Sequence, residues 1–255
     1  MARRRTLGAT DMPATSGGNS SPSYVLGVDG CRAGWFVAAR ILQTGETSVA
    51  IADSFASILD GPGQSAAAII VDIPIGLADF GGRACEAQAR RSIGPRRSSV
   101  FSSPRRPMLG FDRYEDANAF GKATGAGISK QCWGIVTKIR EADLVVTPEL
   151  QRIVGEGHPE LAFTRLRGAP CAHAKRRHDG ERERRNALIS AGLDTIDDML
   201  ADVRRIHPRK SEFANDDFYD ACALSLTAQA RLEGAAWRLG DGARDARGLL
   251  MEIWG

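Results

Sequence analysis

The stretch Ala67-Ala68-Ile69-Ile70-Val71-Asp72-Ile73-Pro74-Ile75-Gly76-Leu77 constrains the fold more than any other part of the chain. It is apolar but too short to span a membrane, which takes about 20 residues. Its length and Ile/Val content favour a strand buried on both faces over a helix. Pro74 cannot donate to a central ladder, so the strand should end close to it. Asp72 is then left at the end of a buried strand, where an ionised carboxylate is costly unless it is paired or binds a metal.

The chain has 255 residues, enough for a sizeable core. Its formal charge of +3 is too small to diagnose a polyanion partner, so only local clustering argues for one. Five scattered cysteines, Cys31, Cys85, Cys132, Cys171 and Cys222, form no CxxC pair. That argues against a disulfide framework or a structural zinc site and suits a reducing cytosol. There is no apolar run of about 18 residues and no signal-peptide core, so a cytoplasmic protein without a membrane span is expected.

Met1 to Ser23, rich in Arg, Gly, Ser, Thr and Pro, reads as a disordered arm; its Arg3-Arg4-Arg5 triplet is either a nucleic-acid contact or a solvated tail. Tyr24 to Asp29 is a second apolar run ending in Asp. Trp35 to Ile41 and Thr47 to Ala52 read as further strands, and their Gly-bearing connections predict a meander of three antiparallel strands. Ser54 to Leu59 reads as a short helix, and the Asp72 stretch as strand four. Arg83 to Arg113 is Arg-rich, with helices predicted over Ala84 to Ile93, Tyr114 to Lys122 and Ser129 to Glu141, the last capped by Ser129. Ile153 and Val154 hint at a fifth strand. Further helices are predicted over Glu181 to Ala191, Thr195 to Arg205 and Asp216 to Glu233, with a last strand over Leu249 to Trp254. The simplest parse is one α/β domain, residues 24–255, with an Arg-rich helical insertion.

Asp29 and Asp72 each close a buried strand. If those strands are parallel neighbours, both carboxylates lie at the rim where open α/β sheets bind ligands. Asp217 and Asp220 share one face of the last long helix, and Ala221 is small enough for that helix to sit close to a sheet. Carboxylates converging there would resist ionising together. A divalent cation offsets the repulsion, and an all-oxygen site suits Mg²⁺ or Mn²⁺. Two such ions can activate water and stabilise a leaving oxygen in phosphodiester cleavage. Each signal also has a plain structural reading: Asp29-Gly30 is a common turn dipeptide, and Asp216-Asp217 suits a first helical turn. Asp72, apolar on both sides, is hardest to explain that way.

The motifs GVDGCRAGW, DIPIGL, SSVFSSPRRP, GISKQCWGI, EGHPELAF and DDFYDACALSLTAQA resemble those of domain-of-unknown-function family 429, described as predicted RNase H-like nucleases. The resemblance covers about Tyr24 to the C-terminus. It implies an RNase H-like fold, a five-stranded mixed sheet whose first three strands are antiparallel, flanked by helices. It further implies metal ligands at Asp29 on strand one, Asp72 on strand four, and Asp217 and Asp220 on the C-terminal helix. Glu156, in EGHPE, is placed where strand five brings it near the metals. His158 is either a proton shuttle or a structural histidine before Pro159.

The leading expectation is a metal-dependent nuclease acting on DNA or RNA, with Asp29, Asp72, Asp217, Asp220 and Glu156 catalytic and Asp29, Asp72 and Asp220 holding Mg²⁺ or Mn²⁺. Arg96, Arg97, Arg105, Arg106, Lys175, Arg176 and Arg177 would hold phosphates, making binding strongly salt-dependent. The plain reading of those basic stretches is solvated, ion-paired helix faces. Alternatives on the same fold are a non-catalytic nucleic-acid or protein-binding module, a sugar-kinase-like phosphotransferase suggested by Gly27-Val28-Asp29-Gly30, and a phosphate- or nucleotide-processing enzyme using SSVFSSPRRP as an anion clamp.

Overall fold

The computed structural model describes residues 23–255; the N-terminal arm and its arginine triplet lie outside them. Three strands, β1 (Tyr24–Cys31), β2 (Gly34–Ile41) and β3 (Thr47–Ala52), form the antiparallel meander. Helix α1 (Phe55–Asp60) follows, and the Ser54 hydroxyl caps it by accepting from Ser57 N at 3.0 Å. The chain then returns through β4 (Ala68–Val71), parallel to β1. A long insertion carries α2 (Ala84–Ser92), α3 (Tyr114–Ala123), α4 (Lys130–Gly134) and α5 (Val136–Val145), and leads to β5 (Val154–Glu156), parallel to β4. The sheet order is β3-β2-β1-β4-β5.

Helices α6 (Pro159–Arg167), α7 (His178–Ser190), α8 (Ile196–Ile206) and α9 (Asn215–Leu232) complete the helical cover. β6 (Arg238–Leu239) and β7 (Ile253–Trp254) pair as a separate ribbon. The central strands bury both faces, as the apolar runs require. Leu26, Val28, Ile69 and Val71 pack with Phe55, Ile139 and Ala142 on the α1/α5 side. Val25, Ala68 and Ile70 pack against Leu224 and Ala228 of α9 on the other, while Phe36 of β2 meets Phe218 and Cys222.

Several expected boundaries shift. The Ser129–Glu141 helix is two helices, with Ser129 capping α4 through Cys132 N at 3.1 Å. α6 has no counterpart in the periodicity analysis because Pro159 to Thr164 are buried in succession and leave no polar stripe. Of the expected last strand, Ile253–Trp254 pairs with β6 and Leu250 forms an isolated bridge with Arg244. All five cysteines are buried and unbridged. Among the described residues no helix is long and apolar enough to cross a membrane.

What positions the site is the approach of α9 to β1. A Cβ on Gly27 would lie 2.1 Å from both Ala221 O and Ser225 N, so the helix backbone sits directly on the strand. Gly27→Ala should therefore cost about 3 kcal/mol or more in urea unfolding, at or beyond the upper end for overpacked cores. Gly134→Ala, where an added Cβ meets nothing within 4 Å, should be neutral or stabilising. Equal stability of the two variants would contradict this packing.

Candidate functional site

The register of the parallel strands decides which acids meet. Val28, Val71 and Glu156 are paired across β1, β4 and β5. Side chains in one row share a face and the next row takes the other. Asp29 and Asp72 stand one residue further on, so they take the α9 face; Asp72 N still donates to Val28 O at 2.9 Å. Glu156, one position earlier, takes the insertion face. Strand five thus carries an acid to the same rim but not to the same side.

On the α9 side four acids and one base converge. Asp29 is 7% exposed and Asp220 only 1%. Lys175, in the loop between α6 and α7, places Nζ 2.7 Å from Asp220 Oδ2 and 3.2 Å from Asp216 Oδ2. Asp217 instead accepts from Ala214 N at 2.8 Å and serves the start of α9. Burial, then Asp72 and Asp220, raise the Asp29 carboxyl well above the ordinary range. Burial raises Asp72 to about 6, against the pull of Lys175. Burial likewise raises Asp217 and Asp220 to about 6. Burial alone would weaken the Lys175 ammonium, but Asp220, Asp29 and Asp216 outweigh it and hold it charged. One ammonium does not balance these carboxylates, so the cluster carries an unmet demand for positive charge.

Asp72, Asp220 and Lys175 open into a cleft of about 540 Å³ that is also lined by His158, Glu160 and Arg96. Four buried side-chain atoms along it have no hydrogen-bond partner in the protein: Asp220 Oδ1, Glu160 Oε2, His158 Nδ1 and Arg96 Nε. Unpaired buried polar atoms are costly, and their gathering in one cleft marks a place for a polar ligand. Burial holds His158 neutral, with Nε2 3.4 Å from Ser99 O. Glu160 gives its other oxygen to buried Arg184. Glu160 lies inside the EGHPELAF motif, but no periodicity or spacing singles it out in the sequence.

Glu156 lines the same cleft, but it is paired there with Arg83. Arg83 Nη1 and Nη2 meet its two oxygens at 2.6 and 2.7 Å, and Ile75 N donates at 2.8 Å. Arg83 also reaches Glu86 Oε1 at 2.9 Å and the Ile75 carbonyl at 3.1 Å. Burial opposes its charge, but Glu156 outweighs that and keeps the guanidinium protonated. Through Arg83, Glu156 ties the insertion to β5. The expected phosphate contacts also divide. Arg96 and Arg176 line the cleft. Arg97 and Arg177 are exposed and outside its lining. Arg105 is spent on the Gly121 and Ala126 carbonyls, at 2.7 and 2.8 Å, and Arg106 on Asp143 and Asp245. Lys175 faces carboxylates. A second cleft, about 900 Å³, shares Arg176 and adds Arg32, Lys138, Lys210 and Asp217.

The donor chemistry suits a hard divalent cation. The acidic groups of the rim offer carboxylate oxygens alone, and Asp220 Oδ1 is buried and unpartnered. As the side chains stand, no group of three or more His, Cys, Asp or Glu among the described residues is gathered closely enough to hold a metal ion. The residues fit such an ion in charge and donor type, with a lysine ammonium among them.

Two outcomes follow. Arg83→Met strands a buried Glu156 and should cost about 3–5 kcal/mol in urea unfolding, with Arg83→Met/Glu156→Gln recovering part of it; a cost for the single variant no larger than for the double would rule out this tie. Asp72 has a folded-state value of about 6, above the ordinary carboxylate value of about 3.9, so the native state binds more protons between them and its stability falls as pH rises through that window. In metal-free buffer, the Tm of Asp72→Asn minus that of the wild type should grow from pH 4 to pH 7.5. A pH-independent difference would mean that the carboxyl titrates normally.

A family model described as Protein of unknown function (DUF429) matches residues 27–244, a span that includes Asp29, Asp72, Glu156, Lys175 and the whole of α9. Comparison with curated proteins and with solved structures gave no match. The chain, from the glycine beneath α9 to the ribbon that follows it, belongs to the DUF429 family of proteins of unknown function.

Proposed function

We propose that the protein is a metal-dependent phosphodiesterase acting on DNA or RNA, built on an RNase H-like fold. The observation that carries this is the convergence of Asp29, Asp72 and Asp220 at one rim with charge left unbalanced. The sheet order, with three antiparallel strands followed by two parallel ones, supports the fold reading. Asp29, Asp72 and Asp220 would hold Mg²⁺ or Mn²⁺, which supplies charge neutralisation at the phosphate and an acidified water.

The remaining roles belong to the chain's own groups. Arg96 and Arg176 stand along the cleft where a polyanion's phosphates would lie, adding salt-dependent attraction. Arg176 lines both clefts. Neutral His158, with Nδ1 unpartnered at the cleft wall, is placed to accept a hydrogen bond from a water or a substrate hydroxyl. Asp217 steadies the first turn of α9 and so the direction of Asp220.

A second reading, a nucleotide- or phosphate-processing enzyme, is favoured by the size of the first cleft, which suits a small ligand, and by Ser98, Ser99 and Phe101 in its wall. A non-catalytic nucleic-acid-binding module would use the same basic groups without the metal.

Purified protein should cleave labelled single-stranded or structured DNA or RNA with Mg²⁺ or Mn²⁺ and not with EDTA. Asp72→Asn should lower the rate by roughly 10²-fold or more, the scale on which loss of one preorganised electrostatic group acts. Hydrolysis of nucleotides but of no polymer would favour the second reading. Metal-independent binding without cleavage would favour the module.

A further inference from the structure

The position of Lys175 is not that of a phosphate contact. Its Nζ lies between Asp216 and Asp220, one turn apart on α9, and both Asp29 and Asp72 feel its charge. The loop that delivers it is built to do so. Glu183 of α7 accepts from Ala172 N at 3.2 Å and His173 N at 2.9 Å, and buried Arg184 reaches the His173 carbonyl at 3.3 Å. A Cβ on Gly180 would lie 2.0 Å from Ala174 O, so the loop is seated on the start of α7. The backbone before Lys175 is therefore pinned, while its own side chain is more than a third exposed and has a solvent route out.

The second observation is Asp220 itself: 1% exposed, one oxygen on Lys175 and the other, Oδ1, unpartnered and facing the same cleft. A carboxylate so placed has coordination capacity that the lysine does not use. An ammonium and a hard divalent ion seek the same oxygens, and two cations cannot share one position without mutual repulsion.

We propose that Lys175 and a divalent cation are alternative occupants of one cation position, bounded by Asp216 and Asp220 of α9 and facing Asp29 and Asp72. In the structure described here the lysine holds it. Binding of the ion requires the side chain to swing out toward solvent, after which the carboxylates are free to close around the ion. Asp216, which opens the DDFYDACALSLTAQA motif but was not among the expected ligands, is thereby assigned to the position, and Asp217, tied to Ala214 N, is not. The proposal rests on the metal reading above and refines it: the lysine sets the affinity of the site and biases it toward ions able to displace an ammonium.

The test is Mn²⁺ binding to the full chain by titration calorimetry, not cleavage. Lys175→Met should bind Mn²⁺ at least about tenfold more tightly than the wild type. Asp216→Asn in the Lys175→Met background should weaken binding, and Asp217→Asn there should weaken it less. Unchanged or weaker binding by Lys175→Met, or no loss with Asp216→Asn, would overturn the proposal. Should Lys175→Met fail to fold, the wild type answers alone. Reductive methylation read by mass spectrometry should show Lys175 labelling faster as Mn²⁺ is added, and labelling unaffected by saturating Mn²⁺, or no Mn²⁺ binding at all, would count against it. Tight Mn²⁺ binding by Lys175→Met with no hydrolysis of any substrate would remove the nuclease reading and leave this one standing. Metal-dependent cleavage by the wild type with equal Mn²⁺ affinity in both proteins would do the reverse.

Discussion

The site depends on one backbone contact. α9 lies on β1 with no side chain between them at Gly27, where even a methyl group would overlap the helix at Ala221 and Ser225. That contact fixes the depth at which Asp220 enters the rim and brings it beside the ends of β1 and β4. A helix held a methyl's thickness further out would leave Asp220 nearer water, with its carboxyl closer to the ordinary range and no need of a cation. The apolar burial on both faces of the sheet holds this geometry rigid, so the charge imbalance cannot relax by spreading.

Charge is then divided between two devices on opposite faces. On the insertion face Glu156 is paired with two guanidinium nitrogens of Arg83 and a backbone amide, and burial still raises its carboxyl to about 7. On the α9 face the match is partial, with one partly exposed ammonium among several acids and a buried oxygen unpartnered. A saturated buried pair braces a fold; an unsaturated one invites an occupant. The two differ by a single residue of strand register, since Glu156 lies in the row of Val71 and Asp72 in the row after it.

Much of the frame was legible in the sequence because the signals are local. Apolar runs broken by Gly or Pro marked β1 to β3 within a residue or two, β4 stops at Val71 short of the expected end near Pro74, and Ser129 caps the helix it precedes as expected. The ends of β1 and β4 carried their carboxylates to a common rim, as parallel neighbours must. What was not legible is partnership across the chain. Arg83 finds Glu156 73 residues away, and Lys175 finds Asp220 45 residues away. Nothing near Arg83 separates it from Arg90 or Arg91, and Lys175 sits in a run, Lys175-Arg176-Arg177, whose composition suggests phosphate. α6 escaped notice for the opposite reason: its residues are too uniformly buried to show a period.

The fate of the basic residues shows why counting them misleads. A guanidinium has five donors in a rigid fork, so an arginine placed near loop carbonyls is more readily consumed by the fold than left for a ligand. Arg105 organises the turn after α3, Arg106 bridges Asp143 and Asp245, and Arg231 closes on the carbonyls of Gln151 and Arg152. Removing any of these would unsettle a loop before it altered an electrostatic field. Basic groups on the cleft walls include Arg96, with an unpartnered Nε, Arg176, which lines both clefts, and Arg32 and Lys210 in the second. Besides the paired Arg83, the positive charge lining the cleft with Asp72 and Asp220 comes from Arg96, Arg176 and Lys175.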